Sequence, residues 1–277
     1  MPLVPAWKSL LFAPADNEAL CAKAAASRAD AIILDLEDGV GEAAKPRARS
    51  ALPAAAAALR AAGRGVAVRI NGSPELARAD LEACAATQPD AVLAPKVEGV
   101  ADLDALAAML AGDVGIVAMI ESASAIHALA PIAAHARVVG LALGTEDFSV
   151  SLGVAPTVDA LDLPARLVAI AAAPRRLMAL AAPISIAAFR DKEAYAVALQ
   201  LAARFGATGA ICIHPSQAEA ANAAFQPSEA ECANARAVLD AWSAAQAAGL
   251  SVTSLDGRMI DLPVAEQAKR ALAKAGR

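Results

Sequence analysis

Charged residues recur at the ends of short apolar runs in this sequence. ILDLED carries Asp35, Glu37 and Asp38; VAVRIN ends at Arg69 and Asn71; LAPKVE holds Lys96 and Glu98; IVAMIE ends at Glu121; LALGTEDF carries Glu146 and Asp147. Glu121 and Asp147, on neighbouring strand ends, would offer two inner-sphere oxygen ligands to a hard divalent cation. With no His or Cys close by in sequence, the pattern fits Mg²⁺ better than zinc. The plainer alternative is that Glu121 caps the next helix and Asp147 starts a turn. Arg69 is the only cation inside its apolar run. A guanidinium there can grip a carboxylate with two prongs or stabilise a developing enolate oxygen. Three carboxylates as close as Asp35, Glu37 and Asp38 repel unless compensated, and Arg69 is the natural counter-charge. Glu37 would orient Arg69, and Asp38 would reach a metal through water.

Other reactive side chains carry weaker signals. Lys96 resembles a Schiff-base lysine in position, but the surrounding carboxylates favour its charged form. His214, in CIHPSQ, reads equally as a substrate contact or a structural histidine, while His127 and His135 lie on or beside a helix. Lys8, Lys23, Arg28, Lys45 and Arg49 would form a thin cationic rim near the first two strands, suited to phosphates or simply solvated.

The apolar runs alternate with helical stretches, which predicts parallel strands whose carboxy-terminal ends share one mouth. Strands are expected at Ser9–Pro14, Ala31–Asp38, Gly65–Asn71, Ala91–Val97, Gly115–Glu121, Val138–Gly144, Pro183–Phe189 and Gly209–Pro215. A helix is expected over about Leu163–Ala181, and the Gly- and Pro-bearing stretch up to Asp159 is the candidate active-site loop. Eight strand–helix repeats make a (β/α)8 TIM barrel over residues 1–225 the first choice. An open doubly wound sheet lacks its glycine fingerprint, since FAPADNE follows the first strand. Residues 226–277 would form a helical extension with a lid segment: a long helix over about Ser228–Ala247, then GLSVTSLDGRMIDLP and a last helix over Val264–Ala273.

Composition narrows the class. The chain has 277 residues, with a hydrophobic fraction of 58% supplied largely by Ala and a single Tyr, so helices must pack closely on a sheet through small side chains. A net charge of −5 without a basic run argues against nucleic acid. The most apolar region is interrupted by Arg166, Arg175 and Arg176, so no membrane span is expected. The scattered Cys21, Cys84, Cys212 and Cys232 read as reduced thiols. With no signal-peptide pattern at the start, the expected location is cytoplasmic.

The ordered set KSLLFAPADNE, ADAIILDLEDGV, VRIN, LAPKVE, MIESASAI, LALGTEDFSVSLG, ICIHPSQ and SLDGRMIDLP resembles the citrate lyase beta-subunit-like branch of the HpcH/HpaI aldolase and citrate lyase family, almost end to end. The resemblance implies a modified (β/α)8 barrel assembled as a homotrimer and Mg²⁺ held by Glu121 and Asp147. It also implies that Arg69 stabilises an enolate with support from Glu37 and Asp38. Implied substrates are CoA thioesters of the malyl-CoA or citramalyl-CoA type, cleaved to acetyl-CoA and a 2-oxo acid. In similar acyl-CoA lyases an aspartate of the C-terminal Gly-x-Met-x-Asp segment, here Asp261, enters from a neighbouring subunit as acid/base group. From the sequence itself, Asp261 reads as a helix cap. Lys8 and Ala15 depart from the Arg and Gly of many relatives, at positions where those relatives handle CoA phosphates; Lys8, Lys23 and Arg28 are the cations left for that task. Two alternatives accompany this reading: a citrate lyase beta subunit acting on a carrier-bound citryl thioester, and a metal-dependent aldolase on free 2-oxo acids.

Overall fold

The computed structural model describes residues 5–276. It divides into two compact units, Met1–Phe225 and Gln226–Arg277.

In the first unit, strands and helices alternate: β1 (Ser9–Pro14), α1 (Glu18–Ala25), β2 (Ala31–Asp35), α2 (Lys45–Ala61), β3 (Gly65–Arg69), α3 (Pro74–Thr87), β4 (Ala91–Ala94), α4 (Val100–Met109), β5 (Gly115–Ile120), α5 (Leu129–Ala134), β6 (Val138–Leu143), α6 (Thr145–Leu152), α7 (Val158–Ala172), β7 (Met178–Leu180), α8 (Lys192–Phe205), β8 (Ala210–Cys212) and α9 (Pro215–Phe225). Among the described residues, eight strands pair in parallel in the order β7-β6-β5-β4-β3-β2-β1-β8. A single parallel bridge, Leu180 to Gly209, joins β7 to β8 and nearly closes the barrel.

Strand alternation sorts the core into two layers. Leu10, Ile33, Ala67, Leu93, Val117, Met119 and Met178 pack inside the barrel. The intervening residues, such as Ile32, Leu34, Val66 and Val68, face the helices and meet Leu52, Leu59 and Ala56 of α2. Small alanines on the helices permit this close approach, as the composition requires.

Three expectations change. The Pro183–Phe189 run is a loop, and the seventh strand is Met178–Leu180. Arg176, at φ 54°, ends the helical path in left-handed backbone, and the run from Leu177 to Ala181 enters the core as strand. The apolar run continues the helical pattern without a break, so periodicity alone hides the switch. Secondly, the candidate active-site loop after β6 is partly helix α6, capped at its C-terminus by Gly153 in left-handed backbone. Thirdly, the strands stop earlier than expected. ILDLED is strand only to Asp35, which leaves Glu37 and Asp38 on the following loop.

The second unit holds α10 (Glu229–Ala247), a hairpin of β9 (Thr253–Leu255) and β10 (Arg258–Ile260), and α11 (Leu262–Lys274). Ser228 and Glu231 form a reciprocal capping box at the start of α10. Asp256 and Gly257, both at positive φ, turn the hairpin. Its core gathers Val238, Trp242, Ile260, Ala265 and Ala268.

All four cysteines are free and buried, and burial pushes the Cys84 and Cys212 thiols up to about 12. Among the described residues, no helix is long and apolar enough to cross a membrane.

Candidate active site

Strand parity decides which side chains reach the mouth. Ala31 and Ile33 face the barrel interior, so Asp35 does too; Ala67 faces inward, and Arg69 follows it. The β2–β3 register sets Asp35 directly beside Arg69. Arg69 Nε and Nη2 each donate to Asp35 at 2.7 Å, a two-pronged pair. Arg69 Nη1 also lies 3.1 Å from Glu37 and 3.4 Å from Asp38. The guanidinium stands 4.6 Å from the centre of the Phe12 ring. Burial opposes its charge, but the Asp35 hydrogen bonds and the surrounding carboxylates prevail and raise its pKa further. The backbone N–H groups of Glu37 and Gly39 donate to Asp35 at 3.0 and 2.8 Å. A Cβ at Gly39 would stand 2.5 Å from an Asp35 carboxylate oxygen, so this fit requires glycine.

Glu121 follows Val117 and Met119 on the inward face of β5. The Lys96 N–H donates to it at 2.7 Å, from left-handed backbone at φ 51°. Asp147 sits in the first turn of α6, where the positive helix end favours an anion. Burial, augmented by the Asp147 charge, pushes Glu121 up to about 7. Burial does the same to Glu37, against the pull of Arg69.

Most of these groups line one cavity of about 430 Å³. Phe12, Asp35, Asp38, Arg69, Glu121 and Asp147 belong to it; Leu180, Ile184, Ile186, Ile211 and Ile213 supply an apolar side. Asp38 is shared with a neighbouring cavity of about 480 Å³ lined by Glu37, Asn71 and the side of Lys96. Among the described residues, no three His, Cys, Asp or Glu side chains are grouped to enclose a metal by themselves. Two oxygen-donor carboxylates on an open cavity fit Mg²⁺, which keeps several coordination positions for water or substrate. A cation would also relieve the repulsion between Glu121 and Asp147.

The sequence-derived set is only partly brought together. Arg69, Glu37, Asp38, Glu121 and Asp147 converge. Asp35, the principal holder of Arg69, is given no role of its own by the sequence pattern, although its parity with Ala31 and Ile33 marks it as inward-facing. The cationic rim is corrected. Lys45 is buried and donates to Leu36 O, Glu37 O and Asn71 Oδ1, while Arg49 pairs with Asp80 at 2.7 Å. Lys8 precedes β1, Lys23 lies in the last turn of α1 and Arg28 follows that helix. All three therefore sit toward the amino-terminal end of the barrel, away from the mouth. His214 bonds Ser216 at 2.7 Å and stacks on Phe189, outside the cavity lining. Asp261 lies in the second unit, where it caps α11 by accepting the Val264 N–H at 3.1 Å.

Known proteins resemble this chain in sequence and in structure. A (3S)-malyl-CoA thioesterase of Cereibacter sphaeroides is 37% identical over 97% of this chain and 94% of its own length. A citrate lyase subunit beta-like protein of Mycobacterium tuberculosis is 35% identical over 98% and 96%. The crystal structure of CitE from M. tuberculosis in complex with magnesium, acetoacetate and coenzyme A superposes with a TM-score of 0.80 at 34% identity, covering 99% of this chain and all of that one. The model of the HpcH/HpaI aldolase/citrate lyase family matches residues 8–215, and this chain belongs to that family.

Proposed function

We propose that this protein is a Mg²⁺-dependent carbon–carbon lyase that cleaves a 3-hydroxyacyl-CoA thioester of the citramalyl-CoA or malyl-CoA type to acetyl-CoA and a 2-oxo acid. The observation that carries it is the convergence of Glu121, Asp147 and Arg69 on one cavity. The CitE complex with magnesium, acetoacetate and coenzyme A and the malyl-CoA thioesterase support a metal and a CoA thioester as the ligands of such a site.

Glu121 and Asp147 would hold Mg²⁺, with Asp38 acting through water. The ion supplies Lewis-acid polarisation of substrate oxygens when bound. Arg69, fixed by Asp35 and braced by Glu37, presents its guanidinium to the thioester oxygen that gains charge as the carbon–carbon bond breaks. A donor locked before the reaction stabilises that enolate without reorganising. Asp261, brought from a neighbouring subunit of a homotrimer, would act as the acid/base group, taking up the hydroxyl proton as the carbon–carbon bond breaks and returning it to the acetyl carbon.

A second reading follows from the thioesterase relative: hydrolysis of the thioester itself. Malyl-CoA and citramalyl-CoA incubated with Mg²⁺ or with EDTA separate the two. Metal-dependent acetyl-CoA plus glyoxylate or pyruvate supports the lyase. Free CoA and the intact hydroxy acid, without 2-oxo acid, would replace it with a thioesterase.

A further inference from the structure

The cavity has two unlike sides. The charged groups come from β2 and the loop after it, from β3, from the residue that follows β5 and from the start of α6. Leu180, Ile184, Ile186, Ile211 and Ile213 come from β7, β8 and the segments that follow them. The strand order places β7 and β8 across the ring from β3 and β4.

The apolar side is a held surface. Gln217, almost fully buried, donates through Nε2 to Ile186 O at 2.8 Å and accepts the N–H groups of Ile213 and His214 at 2.9 and 3.0 Å. One side chain thus ties the loop after β7 to the end of β8. On the other flank, Thr145 Oγ1 accepts the Ile186 N–H at 3.4 Å, and Ser185 donates to Glu146 at 2.7 Å. The wall is therefore fastened to β8 on one side and to α6 on the other.

We infer that this wall selects the substituent on the hydroxyl-bearing carbon, favouring an alkyl group over hydrogen or a second carboxylate. The inference rests on the proposed lyase reading. The carboxylate and hydroxyl of that tetrahedral carbon belong on the charged side, and the carbon bonded to the acyl unit lies toward Arg69. The fourth substituent then meets the wall, to which Leu180, Ile184, Ile186 and Ile213 all contribute. Those side chains supply no hydrogen bond; of the polar groups beside them, the Tyr195 hydroxyl donates to Ile211 O, Thr145 Oγ1 accepts the Ile186 N–H, and Glu146 carries like charge. A carboxymethyl arm would therefore lose solvation without compensation, whereas a methyl or ethyl group gains burial. The preferred 2-oxo acids are therefore pyruvate and 2-oxobutanoate, with glyoxylate and oxaloacetate disfavoured.

The test measures kcat/KM for condensation of acetyl-CoA with glyoxylate, pyruvate, 2-oxobutanoate and oxaloacetate, with Mg²⁺, in the native protein and in Ile186→Asn and Ile213→Asn. Comparing proteins cancels the greater intrinsic reactivity of an aldehyde. The ratio of 2-oxobutanoate to glyoxylate is expected to fall about tenfold in each variant, the size of one methylene contact in an apolar pocket. The oxaloacetate-to-pyruvate ratio is expected to rise. Ile213 is 41% exposed at the rim, so its variant carries the test if Ile186→Asn does not fold. Unchanged ratios in active variants, or efficient use of oxaloacetate by the native protein, would overturn the wall alone. No turnover of any 2-oxo acid and no cleavage of malyl-CoA or citramalyl-CoA would overturn the lyase reading and the wall with it.

Discussion

Arg69 meets Asp35 through two parallel N–H···O bonds of 2.7 Å, between residues that stand side by side on adjacent inward-facing strand positions. Both side chains are almost fully buried, so removing one leaves the other uncompensated. Asp35→Ala is expected to cost about 3 kcal/mol in denaturant unfolding. Arg69→Lys keeps the charge but loses the fork; it should unfold near the native midpoint while kcat falls about 100- to 1000-fold. An Asp35→Ala protein as stable as the native one would remove the pair from its structural role.

Gly144 is a steric prediction of a different kind. Its φ of −83° suits any residue, so alanine there adds no backbone strain. A Cβ would nevertheless lie 2.5 Å from Glu121 Cγ. Gly144→Ala must therefore push the Glu121 carboxylate aside, at an overpacking cost of about 1–3 kcal/mol. Mg²⁺ titration of activity is expected to show affinity weakened by roughly tenfold, the lower end of that range. Unchanged Mg²⁺ affinity would mean that Glu121 is not a ligand.

The acidity of the site fixes a pH signature. Burial raises both Glu37 and Glu121 to about 7, against about 4.3 in an unfolded chain. Between these limits the metal-free native protein holds more protons than the unfolded one. The stability that these two groups contribute is full below the unfolded value and is lost as pH rises toward 7. With Glu121 as the proposed ligand, Mg²⁺ would have to displace its proton in the same window. Its affinity should rise up to tenfold per pH unit below about pH 7 and level off above it. Calorimetric Mg²⁺ titrations across the window measure this directly, and a flat affinity would contradict it.

Much of this cavity's charged lining was readable in the sequence because period-2 alternation and the ends of apolar runs are local signals. Arg69, Glu121 and Asp147 needed only those. Lys45 did not fit the same logic. It looks like a surface cation in sequence, yet it is buried beneath the Glu37 loop and holds two of its carbonyls. Its partners include Asn71, 26 positions away, which no local window contains. The Pro183–Phe189 run failed for a related reason. Its apolar residues satisfy a cavity wall and Gln217 rather than a strand ladder, and apolar composition alone does not distinguish the two. The switch into β7 rests on one left-handed residue, Arg176, of a type that carries no turn signal.

Asp261 separates two roles that one side chain can play. Its carboxylate caps α11, and asparagine caps a helix about equally well. Asp261→Asn should therefore keep the thermal stability of the protein but cannot transfer a proton. A general acid/base group contributes about 100- to 10,000-fold, so kcat is expected to fall by at least the lower figure. Full activity in Asp261→Asn would leave the capping role alone. If the residue acts on a neighbouring barrel, co-expression of Asp261→Asn with Arg69→Ala creates sites with an intact Arg69 from one subunit and an intact Asp261 from another. Random mixing in a cyclic trimer restores roughly a quarter of the sites. Recovery to about that level supports action across subunits. With an inactive Asp261→Asn parent, a mixture as inactive as either parent would rule out action across subunits.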